Sequence, residues 1–521
     1  MKEIFLTADL HLGHQKTACG FTKEDGSKLR PFDSAEHQDE VLVQNWNAVV
    51  KPTDKVYVLG DVAMNKAGLR PVERLNGDKV LILGNHECLD EDTELLTNRG
   101  WLSIKDVSKT DLILSRTSDK KSVWKNIDEI IIKQYNGVVV DFNPPKMSMC
   151  MTPEHRIMHD TPEGNSYFLA KEILGGVDFN IVTCAVSNQP EYPVSDDELE
   201  FMAWIYTDGQ IMKRCASMMI YQSKVDRIEQ IKSLLQRLEI EYTLRSKGVK
   251  KKGTIVCGKA LVKDSKEAFA FSIPAKYGRK YLEMMDGNKK RLSKLIYNLS
   301  TRQAQWFIRK IIDGDGAIAK SGESGGIHGS KVFLDDLQAL CAMNGVSSSM
   351  SMFRSNYVLN FNFTSLVKSY KYLNNIKKDR TLNKSYVGTV WCIMTEESNF
   401  MCRRKGFAYF TGNCLPAKDY LKYFRDVRAY HVVDKILFSH IPVHTDSIGR
   451  FRANIHGHLH EKVVQLPCGK PDPRYFCVSV EQTGFTPVNY SEVLETVKHN
   501  EQYVLDYNLE SNFKPKGNHA A

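Results

Sequence analysis

The chain has 521 residues, 42% of them hydrophobic, and a formal net charge of +9. That length exceeds a single hydrophobic core and predicts three or four domains. Twelve cysteines without dense spacing exclude a disulfide-stapled secreted framework and favour reduced thiols in the cytoplasm. The chain has neither a signal-peptide pattern at its start nor a run of about 18 apolar residues, so no membrane partner is expected.

The charge is uneven, and the 326-residue segment from Cys88 to Asn413 carries the positive excess. Outside it, 24 Lys and Arg face 25 Asp and Glu, and 12 of the 15 His are found there. Inside it, 47 basic side chains face 37 acidic ones, and residues 201–310 alone hold 24 against 9. This excess indicates a polyanion such as DNA as partner, with a solvated basic surface as the alternative.

Five short apolar strands outside that segment each end in side chains suited to metal binding. The runs and the side chains that follow them are 4–8 with Asp9 and His11, 56–59 with Asp61, 80–83 with Asn85 and His86, 435–438 with His440, and 453–455 with His456, His458 and His460. Ligands gathered at one sheet edge can converge on one site. Imidazole, carboxylate and amide oxygen together suit Mn, Fe, Zn or Ni, and seven of these nine side chains as ligands would suit two ions that share a bridging carboxylate.

The order of these motifs, Asp-x-His, Gly-Asp, Gly-Asn-His-Glu, a single His and Gly-His-Leu-His, resembles the metallophosphoesterase (calcineurin-like) superfamily. The resemblance covers the 195 residues of 1–87 and 414–521 and implies an α/β four-layer sandwich, split by the segment, that hydrolyses phosphomono- or diesters with two divalent transition metals. It also implies the ligands: Asp9, His11 and His460 for one ion, Asn85, His440 and His458 for the other, and Asp61 bridging both. His86 would stabilise or protonate the departing oxygen.

Cys88 follows the Gly-Asn-His-Glu motif directly, and the interrupted domain resumes at Cys414, after Asn413. Short alternating runs at 138–140 and 156–158 predict β-structure around a Thr-x-x-His block formed by Thr152 and His155. This arrangement resembles an intein. It implies an all-β, horseshoe-like splicing domain split into 88–184 and 376–413, although Gly412 stands where many inteins have His and Cys392 where Asp is frequent.

The intein resemblance implies a chemical role for each of these residues. Cys88 Sγ would attack the carbonyl of the preceding residue, while Thr152 and His155 polarise that amide and protonate its nitrogen. Cys414 would then accept the acyl group, and cyclisation of Asn413 would release the segment without any cofactor.

Two similar apolar stretches, 107 residues apart, end in Asp208-Gly209 and Asp315-Gly316. The tripeptide Ser-Lys-Val at 223–225 recurs at 330–332 with the same spacing. A fixed register indicates an internal duplication. After the first copy, one predicted helical face is formed by Val225, Ile228, Ile231, Leu234, Leu235 and Leu238. The pattern resembles the LAGLIDADG homing endonucleases. It implies an α+β nuclease at 185–375 that enters the major groove of double-stranded DNA and uses Asp208 and Asp315, with Mg, to cut both strands.

The chain is therefore predicted to be an unspliced precursor, in which a self-excising, nuclease-bearing segment interrupts a phosphoesterase. Two alternatives remain open from the residues. The segment could be a permanent DNA-binding domain of one unspliced multidomain nuclease, or an inert structural relic.

Overall fold

The fold is that of a computed structural model, which describes residues 2–23, 25–63, 67–84, 88–143, 147–161, 164–175, 178–256, 259–287, 290–353, 356–370, 382–413 and 417–506. The chain divides into two compact units. The outer unit comprises Met1–His86 and Cys414–Ala521, and the inner unit comprises Glu87–Asn413. Among the described residues, no helix has both the length and the apolar character that crossing a membrane requires.

The described residues of the outer unit form two sheets. The first has the strand order Asp426–Arg428, Asp78–Ile82, Lys55–Leu59, Ile4–Thr7 and Val488–Asn489, all parallel except the last. The second has the order His431–Val433, Ile436–Phe438, Ala453–His456 and Tyr475–Cys477, with the first strand antiparallel. Helices of the unit are Gln15–Cys19, Ala35–Val49, Ala417–Tyr420, Thr445–Ile448 and Tyr490–Asp506, with a 3-10 helix at Ala67–Arg74.

Apolar runs form the central strands because both faces of the first sheet are buried. Successive side chains of a strand point to opposite faces. Phe5 packs in a cluster with Trp46 of helix Ala35–Val49, whereas Leu6 belongs to a second cluster with Phe438 of the other sheet. The two sheets thus share one buried core, and the strands that carry the predicted metal motifs run through it.

The inner unit is assembled from strands at both ends of its sequence. A closed barrel is formed by Leu89–Asp90, Glu129–Phe142, Met149–Met151 and Leu382–Met394. The remaining strands outside the duplicated region are Glu94–Thr97, Gly100–Ser103, Leu112–Arg116, Lys121–Asn126, Arg156–Thr161, Gly164–Leu169, Phe179–Val182, Val186–Ser187, Val367–Tyr370, Asn399–Arg404 and Phe407–Gly412, with 3-10 helices Ile104–Asp106 and Ala170–Gly175. Asn399–Arg404 pairs with Glu94–Thr97, and Thr411 pairs with Ile157. The first and last parts of the unit therefore form one β-structure.

Two copies of a helix–strand–strand–helix–strand–strand unit lie between these ends. The first has helices Asp196–Asp208 and Val225–Arg237 and the sheet order Gly209–Met212, Ser217–Gln222, Phe269–Ile273, Thr243–Ser246. The second has helices Thr301–Asp315 and Lys331–Met343 and the order Gly316–Ile318, Ser324–Gly329, Asn356–Asn362, Ser347–Phe353. Helix Ala275–Met284, 3-10 helix Lys294–Asn298 and the two-stranded ribbon Ile255–Val256/Lys259–Ala260 complete the region. Identical strand order confirms the predicted duplication.

Most of the predicted helical face packs into the core of the first repeat. Ile228, Ile231, Leu234 and Leu235 are buried, but Val225 is 75% exposed because it occupies the first turn of helix Val225–Arg237, beyond the packed surface. Leu238 lies just after the helix and is partly buried.

Candidate functional site

Six of the seven predicted metal ligands belong to the described residues, and five of them form two donor groups that share Asp9. Asp9, His11 and His460 are one group, and Asp9, Asp61 and His440 are the other, with the donor atoms of each group within 4.8 Å of one another. Asp9 and Asp61 follow the ends of adjacent parallel strands, which places them at the same sheet edge. Asn85 and His86 lie outside the described residues.

Residues with left-handed backbone conformation are concentrated at this site. Eight non-glycine residues in the described part of the outer unit have positive φ, and five of them are predicted ligands: Asp9 (59°), His11 (49°), Asp61 (38°), His458 (72°) and His460 (54°). Such conformations cost free energy outside glycine and persist where the surrounding fold enforces them, commonly at functional sites. The turns that follow the strands thus direct these side chains toward one another.

Two glycines leave the room that the ligands occupy. A Cβ on Gly60, whose φ is +86°, would lie 2.8 Å from Cε1 of His440 and closer still to its Nδ1. A Cβ on Gly84 would overlap the carboxylate of Asp61. The Gly-Asp and Gly-Asn-His-Glu motifs therefore both need glycine for space, and Gly60 also adopts a backbone conformation that favours glycine.

Hydrogen bonds on their second nitrogens orient two of the histidines. His440 Nδ1 donates to the Leu59 carbonyl at 2.8 Å, which leaves Nε2 as the lone-pair nitrogen, 3.5 Å from Asp61 Oδ2. His460 Nδ1 lies 2.8 Å from Glu481 Oε1, and buried Arg30 donates to the same oxygen at 2.7 Å. Metal-binding histidines commonly have such partners, which set the tautomer and the ring orientation.

The buried polar atoms at the centre fit a cation. Asp9 Oδ2 accepts from the His458 amide at 2.8 Å and from Ser479 Oγ at 2.5 Å. Its Oδ1 and the Nε2 of His440 are both buried, and neither has a hydrogen-bond partner among the residues the structure describes. Since buried polar atoms are nearly always satisfied, a divalent cation is the partner that this donor set favours.

The pKa values separate these histidines from their neighbour His456. Burial lowers the pKa of His440, but Asp61 and Asp9 outweigh burial, so the net pKa is raised. The pKa of His460 is also raised, because Glu481 and Asp9 overcome its burial. Burial lowers the pKa of His456 to about 4, and its Nδ1 donates to the Gly457 carbonyl at 2.7 Å. His456 is therefore a neutral core residue, consistent with its omission from the predicted ligands.

In the inner unit, the predicted Thr-x-x-His block lies against Cys88. The Cys88 amide donates to Thr152 Oγ1 at 3.0 Å, and the Thr152 amide donates to the Cys88 carbonyl at 2.9 Å. The His155 amide donates to the Thr152 carbonyl at 3.0 Å. All three side chains are buried. The hydroxyl of Thr152 is thus in contact with the nitrogen that an acyl shift at Cys88 would release.

Thr411, two residues before Asn413, connects the block to the other end of the unit. His155 Nε2 lies 2.6 Å from Thr411 Oγ1, whose own hydrogen is donated to the Arg156 carbonyl at 3.1 Å. In the hydrogen bond between His155 and Thr411, Nε2 of His155 is therefore the donor. Asn413 is fully buried, with its Nδ2 3.3 Å from Thr395 Oγ1. Cys414 lies outside the described residues.

The duplicated helices bring Asp208 and Asp315 to neighbouring helix ends. Helices Asp196–Asp208 and Thr301–Asp315 pack against each other so closely that a Cβ on Gly314 would lie 2.6 Å from Thr207 Cβ. Gln222 Nε2 donates to Asp208 at 3.3 Å, and Asp315 lines a cavity of about 700 Å³. Within the described ranges, groups of three or more metal-binding donors occur in the outer unit alone, so neither aspartate lies in one.

The sequence motifs missed several residues of these sites. They are Arg30, Ser479 and Glu481 beside the metal ligands, and Thr395 and Thr411 beside Asn413. The sequence does contain a pattern that could have indicated Ser479 and Glu481, because both follow strand Tyr475–Cys477 as the predicted ligands follow their strands. The two threonines are distant in sequence from His155 and carried no such signal.

No protein-family profile matches the chain. It is 33% identical over 107 residues to an uncharacterized protein of Methanocaldococcus jannaschii, covering 19% of this chain and 56% of that protein. It is 29% identical over 117 residues to the Gene 66 protein of Mycobacterium phage L5, covering 21% of this chain and 52% of that protein. The chain spans about half the length of the curated relatives that it matches.

Among solved structures, the chain resembles variants of the homing endonuclease I-DmoI, with 14% identity, a TM-score of 0.23, and coverage of 33% of this chain and 90% of that chain. It also resembles a splice-inactive AceL NrdHF class 3 split intein, with 8% identity, a TM-score of 0.23, and coverage of 63% and 99%. At TM-scores this low, neither likeness assigns a fold family or an activity to this chain.

Proposed function

We propose that the inner unit excises itself by protein splicing and joins the two parts of the outer unit. The observation that carries this proposal is the buried cluster of Thr152, His155 and Thr411, which contacts Cys88 at one end of the unit and stands two residues from Asn413 at the other. The shared β-structure of the first and last parts of the unit supports a splicing domain split around a nuclease, for which we propose the boundaries 88–184, 185–375 and 376–413.

The first step is an acyl shift. Cys88 Sγ forms a thioester bond to the carbonyl carbon of Glu87, and the amide bond between Glu87 and Cys88 breaks. The released nitrogen of Cys88 must gain a proton, and Thr152 Oγ1 is 3.0 Å from it. Cys414 then takes over the acyl group, and the Asn413 side-chain nitrogen attacks its own carbonyl carbon and releases the unit. An S-to-N shift restores an ordinary peptide bond between Glu87 and Cys414.

Mass spectrometry of freshly expressed chain tests the proposal. Splicing gives a 195-residue ligated product and a 326-residue fragment. A variant with Cys88→Ala and Asn413→Ala should stay at full length. A wild-type chain that stays intact under reducing, neutral conditions would favour the alternative in which the inner unit is a permanent DNA-binding domain.

For the joined outer unit we propose a metal-dependent phosphoester hydrolase. The supporting observation is the pair of donor groups that share Asp9, with the buried Oδ1 of Asp9 and Nε2 of His440 directed into them. Two bound divalent ions would supply an activated water and would clamp the phosphoryl oxygens. Asp9, His11 and His460 are proposed for one ion, Asn85, His440 and His458 for the other, and Asp61 as the bridge. His86 is proposed to protonate the leaving oxygen.

Hydrolysis of p-nitrophenyl phosphate and its bis ester by the ligated product, with Mn, Zn or Ni added after chelation, tests this second function. Asp61→Asn should abolish metal-dependent turnover and leave the thermal midpoint of the metal-free protein near that of the parent. The full-length Cys88→Ala variant should hydrolyse both esters poorly, because the inner unit begins two residues after His86. Equal turnover by that variant and the ligated product would disprove the role of splicing in activation.

For the duplicated region we propose Mg-dependent cleavage of double-stranded DNA by Asp208 and Asp315. The two helices support it, because each begins with a capping box and ends in an aspartate. Selection of cut sites from a random plasmid library, with Asp208→Asn and Asp315→Asn as controls, tests it. Each single variant should nick one strand or lose cleavage, and cleavage that persists in the double variant would refute the assignment.

A further inference from the structure

The two repeats differ in one conspicuous way, an extension that only the first carries among the residues described. In the second repeat, strands Ser347–Phe353 and Asn356–Asn362 are joined directly, with Phe353 paired to Asn356. In the first repeat, the corresponding strands Thr243–Ser246 and Phe269–Ile273 are separated by residues 247–268. These 22 residues are called the finger.

The described residues of the finger, 247–256 and 259–268, form a hydrogen-bonded ribbon. Backbone hydrogen bonds join its two sides from base to tip: Lys247 N to Ala268 O at 2.7 Å, Ser265 N to Lys250 O at 2.8 Å, and Gly253 N to Leu261 O at 2.9 Å. The short antiparallel strands Ile255–Val256 and Lys259–Ala260 lie beyond them. The pairing continues the two strands of the first repeat, so the described part of the finger extends that sheet.

Its surface is strongly basic. The finger has seven lysines and two acidic residues, and the six lysines with described side chains are all exposed: Lys247, Lys250, Lys251, Lys252, Lys263 and Lys266. Among the finger residues that the structure describes, one lysine, Lys251, forms an ion pair, with Asp264 at 3.0 Å. By contrast, Lys276 on the nearby helix Ala275–Met284 is paired with Glu241 at 2.6 Å. The charge of the finger is thus largely uncompensated.

The two repeats as a whole also differ in charge. Residues 209–273 contain 14 basic and 6 acidic side chains, whereas the equivalent residues 316–362 contain 3 and 3. A concentration of exposed ammonium groups on a projecting ribbon is complementary to a phosphate backbone, whose contacts supply sequence-independent affinity. The exposed face of the second repeat instead offers uncharged polar groups, including Ser349 and Asn360.

We propose that the finger is a DNA-backbone anchor, which binds the phosphates of a duplex on the first-repeat side and makes DNA binding by the inner unit asymmetric. This inference rests on the proposed DNA-binding function of the duplicated region and adds a contact surface to it. The anchor binds without reading sequence, so a duplex of arbitrary sequence is a valid probe.

The test uses the full-length chain carrying Cys88→Ala and Asn413→Ala, so that every sample is one species. A finger variant replaces Lys250, Lys252 and Lys263 with Gln. A matched control replaces three exposed lysines of the β-structure, Lys105, Lys109 and Lys384, with Gln. Fluorescence anisotropy measures binding of a labelled random-sequence DNA duplex in EDTA across a NaCl series.

The finger variant should bind about tenfold or more weakly at roughly 0.1 M salt, and the slope of log K against log salt should fall by about 0.9 for each lysine that contacts a phosphate. The control should keep the parent slope, and all three proteins should have the same thermal midpoint because the changed side chains are exposed. A parent that does not bind DNA would refute the proposed DNA-binding function. A parent that binds, with a finger variant indistinguishable from the parent or from the control, would refute the anchor alone.

Discussion

Replacing Thr411 with Val tests the buried cluster that links the two ends of the inner unit. Val has nearly the shape of Thr but lacks the hydroxyl, so the change leaves the Nε2–H of His155 and the Arg156 carbonyl without their present partner. Both Thr411 and His155 are fully buried. Leaving one buried polar group unsatisfied costs about 1–3 kcal/mol. If that cost falls on the transition state of the acyl shift, the rate decreases roughly 5- to 150-fold.

The assay should isolate that first step. In a background with Asn413→Ala and Cys414→Ala, dithiothreitol releases residues 1–87 only after the thioester at Cys88 has formed. The rate of release, followed on gels, is expected to fall in Thr411→Val and to stay within about twofold of the parent in Thr411→Ser, which keeps the hydroxyl.

A buried threonine elsewhere in the same β-structure provides the control. Thr97 is fully buried and its hydroxyl donates to the Gly100 carbonyl at 2.9 Å, so Thr97→Val loses a comparable hydrogen bond away from Cys88. It should lower the unfolding midpoint without slowing release. Release at the parent rate in Thr411→Val, or equal slowing in Thr97→Val, would refute the reasoning that Thr411 orients His155.

Three further predictions concern other contacts. Gly60→Ala should weaken Zn or Mn binding to the ligated outer unit, measured calorimetrically, because the new methyl group displaces the ring of His440; unchanged affinity would contradict this. Arg404→Met should lower the free energy of unfolding of the inner unit in urea by about 3–5 kcal/mol, since it leaves the buried carboxylate of Asp90 without its partner at 2.8 Å; adding Asp90→Asn should recover part of the loss. Burial raises the pKa of Asp39 to about 6, so its ionisation destabilises the fold as pH rises through that value. Asp39→Asn should then raise the thermal midpoint at pH 8 more than at pH 5, and a pH-independent difference would exclude this explanation.

Local sequence patterns were enough to predict the strands that carry the motifs. The runs before Asp9, Asp61 and His440 form strands within a residue or two of the expected bounds, because continuous apolar runs bounded by polar turns suit strands buried on both faces. The fixed spacing of Asp208 and Asp315 predicted a duplication, and both repeats share one strand order. The metal, splicing and nuclease roles of these residues stay predictions.

Other features depended on contacts between distant parts of the chain. Glu481 and Arg30 are 451 residues apart, yet together they support His460, and neither belongs to a motif. The finger is a similar case: its lysines were visible as a basic composition, but their common projection from one repeat followed only from strand pairing.

Sequence by itself determined the chemistry available at each strand end and at the two edges of the inner unit, since residue type and local periodicity are properties of neighbours along the chain. Tertiary structure alone decided which of those groups meet. The left-handed turns at Asp9 and His460, the space left by Gly60, and the approach of Thr411 to His155 all arise from packing between segments that are far apart in sequence. The physical reason is that buried groups must fill space and satisfy their hydrogen bonds at the same time. Local sequence specifies neither condition.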